Sequence, residues 1–85
     1  MRARLQNNRG VACLQLNQSD EALKHFRLAT KADPHFADAY ANAGTAFFQL
    51  GDLARAREQF GRALALNPNQ PQALSGLAKM QALGR

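Results

Sequence analysis

The sequence predicts an all-α fold, an α-solenoid of antiparallel helix pairs with about five helices, and three observations predict it. Residues recur at a spacing of 34: Gly10 with Gly44, Ala22 with Ala56, Phe26 with Phe60, Ala29 with Ala63 and Pro34 with Pro68. Apolar residues fall at helical spacing, as in Tyr40, Ala43, Gly44 and Phe47, which make one stripe of a helix. Turn residues punctuate the stripes at Asn17, Asp33-Pro34, Gly51-Asp52 and Asn67-Pro68. A fixed period of this length marks stacked helical units, each unable to bury its own apolar face alone.

The first helix is expected over about Ala3 to Leu16 and stops at Asn17, a residue that tolerates the left-handed conformation. Ser19 or Asp20 is expected to cap the second, which carries Ala22, Leu23, Phe26 and Ala29. Asp33 ends it, because a residue before proline is pushed out of the helical region. The third runs over about Phe36 to Leu50, with Gly51 as its stop and Asp52 as the next N-cap. The fourth, about Leu53 to Leu66, is expected to bury Leu53, Ala56, Phe60, Ala63 and Leu64 before Asn67-Pro68 repeats the stop. The fifth, about Gln70 to Leu83, offers Leu74, Leu77, Ala78 and Leu83. Gly10, Gly44 and Ala78 share one phase of the odd helices, where a minimal side chain lets backbones approach and the phenylalanines fill the wedge.

Eighty-five residues make one small domain, read as 1–85 with repeats at 3–36 and 37–70 and a capping helix at 71–84. Nearly half the residues are hydrophobic and a fifth are charged, the balance of a globular chain rather than a disordered one. The net charge of +5 permits anionic partners without saying anything about fold. A lone cysteine, Cys13, makes no internal disulfide. No apolar run could span a membrane, and Gln6 to Arg9 stand where a signal peptide needs apolar residues, so a soluble, cytoplasmic chain is the favoured expectation.

Tyr40, Ala43, Gly44, Phe47, Gly51, Asp52, Ala56, Phe60, Ala63, Leu64, Leu66, Asn67 and Pro68 together resemble the tetratricopeptide repeat. The stretch 37–70 is a nearly complete match. Residues 3–36 match from Gly10 onward, with Gln6 and Arg9 where Tyr40 and Ala43 stand in the next repeat. From Pro71 onward only the first helix of a third repeat is present, with Gln81 in place of the aromatic.

The resemblance implies a right-handed superhelix whose odd helices line a concave groove that receives an extended peptide or a partner helix. By phase, the groove residues are Arg4, Asn7, Asn8, Val11, Leu14 and Gln15, then Asp38, Ala41, Asn42, Thr45, Phe48 and Gln49, then Gln72, Ser75, Lys79 and Leu83. Amide side chains offer both a donor and an acceptor to a peptide backbone. Asn8 and Asn42 share one phase and form a two-rung ladder, which Gly76 breaks. Phe48 and Leu14 are the apolar anchors. Replacing Asn42 and Phe48 together is expected to spare folding and abolish capture of the partner.

Relatives that bind chaperone C-termini hold two carboxylates with Lys, Asn and Arg. Here Asn42 fits that pattern, whereas Asn7, Val11, Gln72 and Gly76 do not, so the expectation is that a chaperone tail is disfavoured. Nucleic acid is also disfavoured, since Lys24, Arg27, Lys31, Arg55, Arg57 and Arg62 belong to the outward even helices. Catalysis is not expected: Cys13 falls at the core phase of Phe47, His25 and His35 have no partner spacing, and no metal or cofactor motif is present. The chain therefore reads as a non-catalytic protein-interaction scaffold, monomeric or weakly dimeric, with no cofactor. The alternatives are a self-assembly module or a piece of a longer array, and a basic surface that meets nucleic acid or anionic lipid.

Overall fold

The computed structural model describes residues 2–84, and among these the chain forms five α-helices: α1 (Arg2–Gln15), α2 (Ser19–Ala32), α3 (Ala37–Gln49), α4 (Leu53–Leu66) and α5 (Pro71–Leu83). Each helix packs on the next, and α3 also touches both α1 and α5, so the odd helices form one continuous layer. The even helices form the other.

The turns repeat as faithfully as the helices. Asn17 takes a left-handed φ of 60° and Gly51 one of 83°. At each, two backbone N–H groups return to the final turn: Gln18 to Cys13 and Asn17 to Leu14, then Asp52 to Phe47 and Gly51 to Phe48. This pattern satisfies carbonyls that a helix end leaves without partners. Before the prolines, Asp33 and Asn67 adopt extended conformations and end α2 and α4. Each side chain then accepts from a backbone N–H two residues on, at His35 (3.0 Å) and Asn69 (3.1 Å).

Phe26 and Phe60 are fully buried, and each lies over a glycine. The ring of Phe26 covers Gly10 from α2, and the ring of Phe60 covers Gly44 from α4. Phe60 also covers Gly76 of α5, so it is held between two glycines on successive odd helices. Ala22, Ala29, Ala56 and Ala63 are completely buried beside the rings. Small residues thus set how closely the backbones approach, and two aromatic rings fill the space that this leaves.

Several expected positions differ. Asp52 caps α4 by accepting from Arg55 N, as its sequence position suggests, but neither Ser19 nor Asp20 caps α2. Gln18 holds that place, and Ser19 lies inside the helix, buried, with its Oγ donating to Gln49 Oε1 at 2.8 Å. The core face of α5 is Ala73 and Met80 with half-buried Leu77 as expected, whereas Leu74, Ala78 and Leu83 are exposed. The phase shared with Gly44 points toward an even helix of the same repeat, and α5 packs only on α3 and α4. Leu53, at the first position of α4, is exposed as well.

Candidate functional site

The face shared by α1, α3 and α5 carries a continuous line of side-chain amides. Gln70, the N-cap of α5, accepts from Ala73 N at 2.8 Å through its Oε1. Its Nε2 donates to Asp38 Oδ1 (3.0 Å) and to Gln72 Oε1 (3.2 Å). Gln72 Nε2 donates to Asn42 Oδ1 (2.9 Å), and Asn42 Nδ2 donates to Asn7 Oδ1 (2.9 Å). Asn42, Asn7 and Gln70 are buried, whereas Gln72 and Asp38 remain exposed. Buried amides are costly unless bonded, and this line bonds each of its oxygens.

The rungs are therefore not those that the 34-residue phase suggests. Asn42 meets Asn7, not Asn8, and Asn8 is exposed. Residues of equal phase on neighbouring parallel helices point in the same direction, so they stand side by side. To face each other they must differ in phase, and Asn7 is rotated by one residue from Asn8. The sequence-based expectation that Asn42 can be replaced without cost to folding is corrected, since Asn42 is 4% exposed and bonded on both sides.

Between α3 and α5 a cavity of about 270 Å³ opens beside the amide line, lined by Thr45, Phe48, Phe60, Pro71, Gln72, Ser75, Gly76 and Lys79. Its floor is aromatic, because Gly76 has no side chain to hide the Phe60 ring. Phe48 is half-buried at its side, and exposed Lys79 and Ser75 form polar edges. Thr45 Oγ1 donates to the carbonyl of Ala41 at 3.3 Å, leaving its methyl for the cavity.

The remaining sequence-predicted residues are scattered more widely. Val11 and Leu14 are half-buried against the Phe26 cluster. Gln15 and Arg4 are exposed on α1, and Gln49 is drawn toward the α1–α2 turn by Ser19. Gln70, Pro71 and Gly76 were not among the expected site residues. A polar residue directly before a proline that opens a helix was the available signal for Gln70.

Outside this face, the cations Lys24, Arg55 and Arg62 of the even helices pair with Glu21, Asp52 and Glu58 three or four residues earlier. Such exposed pairs contribute little to stability. His25 is half-buried, with Nδ1 2.9 Å from Gln6 Oε1. Cys13 packs at the edge of the Phe26 cluster. Among the described residues no helix is long and apolar enough to cross a membrane.

A family model described as tetratricopeptide repeat matches residues 12–80. The chain belongs to the tetratricopeptide repeat family. It is 33% identical over 72 residues to the small glutamine-rich tetratricopeptide repeat-containing protein 2 of Mycosarcoma maydis, across 85% of this chain and 20% of that protein. It is 31% identical over 74 residues to the Hsp70-Hsp90 organizing protein of Triticum aestivum, across 87% of this chain and 13% of the relative. The chain thus spans a fifth or less of the length of these curated relatives.

Among solved structures, the first tetratricopeptide domain of Spaghetti (RPAP3) bound to the HSP90 peptide SRMEEVD is similar at a TM-score of 0.89 and 32% identity, covering 98% of this chain and 67% of that one. The second tetratricopeptide domain of human RPAP3 in complex with the HSP70 peptide SGPTIEEVD is similar at a TM-score of 0.88 and 35% identity, covering 93% of this chain and 66% of the other. Both neighbours are tetratricopeptide domains that hold a peptide.

They also correct the expectation that a chaperone tail is disfavoured. That expectation weighed the identity of Asn7, Val11, Gln72 and Gly76 alone. Two neighbours with nearly the same backbone hold chaperone peptides, so those four positions are not sufficient ground for setting that ligand class aside.

Proposed function

We propose that residues 1–85 act as one non-catalytic binding unit, and that the face shared by α1, α3 and α5 takes an extended peptide whose class is an acidic C-terminal tail. The observation that carries this reading is the cavity between α3 and α5, with its aromatic floor of Phe48 and Phe60 and Lys79 at the rim. Both neighbouring peptides end in Glu-Glu-Val-Asp, an apolar residue flanked by acids. A valine-sized side chain would bury against the rings, and a neighbouring carboxylate would stand near the ammonium group. Apolar anchors in a pocket carry most of the affinity of such contacts, with the charge at the rim adding specificity.

The test is titration of the chain with SRMEEVD and SGPTIEEVD, followed by fluorescence anisotropy, for wild type and Phe48→Ala. Saturable binding by wild type is expected. Phe48 is only half-buried, so Phe48→Ala should keep the helical circular dichroism and weaken binding by about tenfold or more, the effect of losing a central apolar anchor. Equal affinities for the two chains would place the peptide elsewhere on the molecule.

A further inference from the structure

The two helical layers close differently. In the odd layer α3 touches both α1 and α5, whereas α2 and α4 of the even layer do not touch each other among the described residues. A stack that curves toward one layer opens the other. The opening here is a cavity of about 190 Å³ that lies between α2 and α4 and reaches down to α3. Its floor on α3 is the stripe Tyr40, Ala43 and Phe47. At about 100° per residue that stripe lies on the opposite face of α3 from Asn42 and Thr45, so the cavity is turned away from the amide line.

The floor and walls are mostly carbon: beside Ala43, the half-buried Tyr40, Phe47 and Leu23 all line the space. An apolar cavity of about 150 Å³ binds benzene, so the opening is large enough for one aromatic ring. The rim is charged with a single sign. Arg27 stands on the α2 bank and Arg62 on the α4 bank, both exposed, and no acid lines the cavity. Arg27 has no ion pair among the described residues. Arg62 pairs with exposed Glu58 at 3.4 Å, a contact of little strength that a ligand carboxylate can share. The repeat does not call for these cations, since the residue 34 positions from Arg27 is Gly61 and the one 34 positions from Arg62 is Leu28. The gap belongs to the stacking, and the two arginines at its mouth belong to this chain.

We propose that the gap between α2 and α4 is a second docking site, and that it takes an acidic segment of a partner protein in which an aromatic side chain stands between carboxylates. The ring enters between the two helices and covers Tyr40 and Phe47, while the flanking carboxylates meet Arg27 and Arg62, whose guanidinium groups suit paired hydrogen bonds to an acid. Burial of the ring supplies most of the affinity, and the charges on the two banks fix the register. A nucleobase fits less well, because the donors and acceptors around its edge would lie against carbon without partners. The site is on the other layer from the peptide face discussed above and does not depend on it, so the chain would hold two partner segments at once.

The probe is the peptide SEEFEES, blocked at both ends, labelled with fluorescein and titrated with the chain by anisotropy. Saturable binding is expected, at least about tenfold tighter than for SEEAEES, which keeps the charges and removes the ring. Arg27→Gln combined with Arg62→Gln should weaken it by about tenfold. Arg55→Gln combined with Arg57→Gln removes the same charge from exposed cations of α4 outside the cavity, and should stay within about twofold of wild type. Phe48→Ala, on the opposite face, should also stay within about twofold.

Equal losses in the two double variants, or equal affinity for the two peptides, would reduce the binding to the general positive field and overturn the proposal. So would wild-type affinity in the Arg27/Arg62 variant, or no binding by wild type. A loss in Phe48→Ala would put the probe on the odd layer, and displacement of the probe by an equimolar oligouridylate would make the ligand nucleic acid; either overturns the proposal. A measurement without substitution stands beside these: the ring resonances of Tyr40 and Phe47 in the wild-type chain should shift as the probe saturates. Unmoved rings at saturation would overturn the proposal as well.

Discussion

A methyl group placed on Gly44 would sit 2.6 Å from the ring of Phe60, closer than any real side-chain carbon approaches a neighbour. The ring atoms it meets belong to a fully buried side chain that is also pressed against Gly76, which restricts its retreat. Gly44→Leu should therefore destabilise the fold by more than about 1–3 kcal/mol, the usual range for overpacking a filled core. Thermal melting followed by circular dichroism tests this. A melt that matches the parent would mean that α3 and α4 are not in contact at this point.

Gly61 is the contrasting case. It lies in the interior of α4 with nothing near the position of an added methyl. Gly61→Ala should stabilise the chain by about 0.5–1 kcal/mol, because alanine loses less backbone freedom on entering a helix. Urea denaturation should show a higher midpoint with an unchanged slope. A lower midpoint would show that Gly61 meets something in solution.

Asn42→Ala should cost about 1–3 kcal/mol even with no ligand present. The substitution leaves the oxygen of Asn7 without its donor and the nitrogen of Gln72 without its acceptor. The exposed neighbour Asn8→Ala is the comparison and should stay within about 0.5 kcal/mol of wild type. Chemical denaturation of the two variants side by side decides the matter, since equal stabilities would mean that the buried line contributes nothing.

The helices and their ends were legible because the signals are local. A proline forbids helical conformation at the residue before it, Gly51 takes its left-handed turn without strain, and Asp52 reaches a nearby N–H from where it stands. The 34-residue period marked Gly44 as a small packing residue and Phe60 as a large one, but not that one covers the other. The amide line was not, because a repeat period pairs residues that point alike, whereas Asn7 and Asn42 meet because they point at each other. The α5 face was misread for a related reason. Leu74 and Ala78 carry the phase of Tyr40 and Gly44, but the phase of a residue says which way it points and not whether a helix lies there to meet it. Gln70 was overlooked because glutamine is a poor capping residue in isolation, and its value comes from contacts to Asp38 and Gln72 that the chain makes only when folded.

The layering of the odd helices has a kinetic side. Each helix touches only its first or second neighbour along the chain, so no contact requires a long loop to close. Chains with such local wiring fold quickly and open piecemeal. Only α3 is gripped by two helices from each direction, α1 and α2 on one side and α4 and α5 on the other. Amide protons of α3 should exchange with solvent last and those of α1 and α5 first, so the molecule breathes from its two extremities while its middle stays shut.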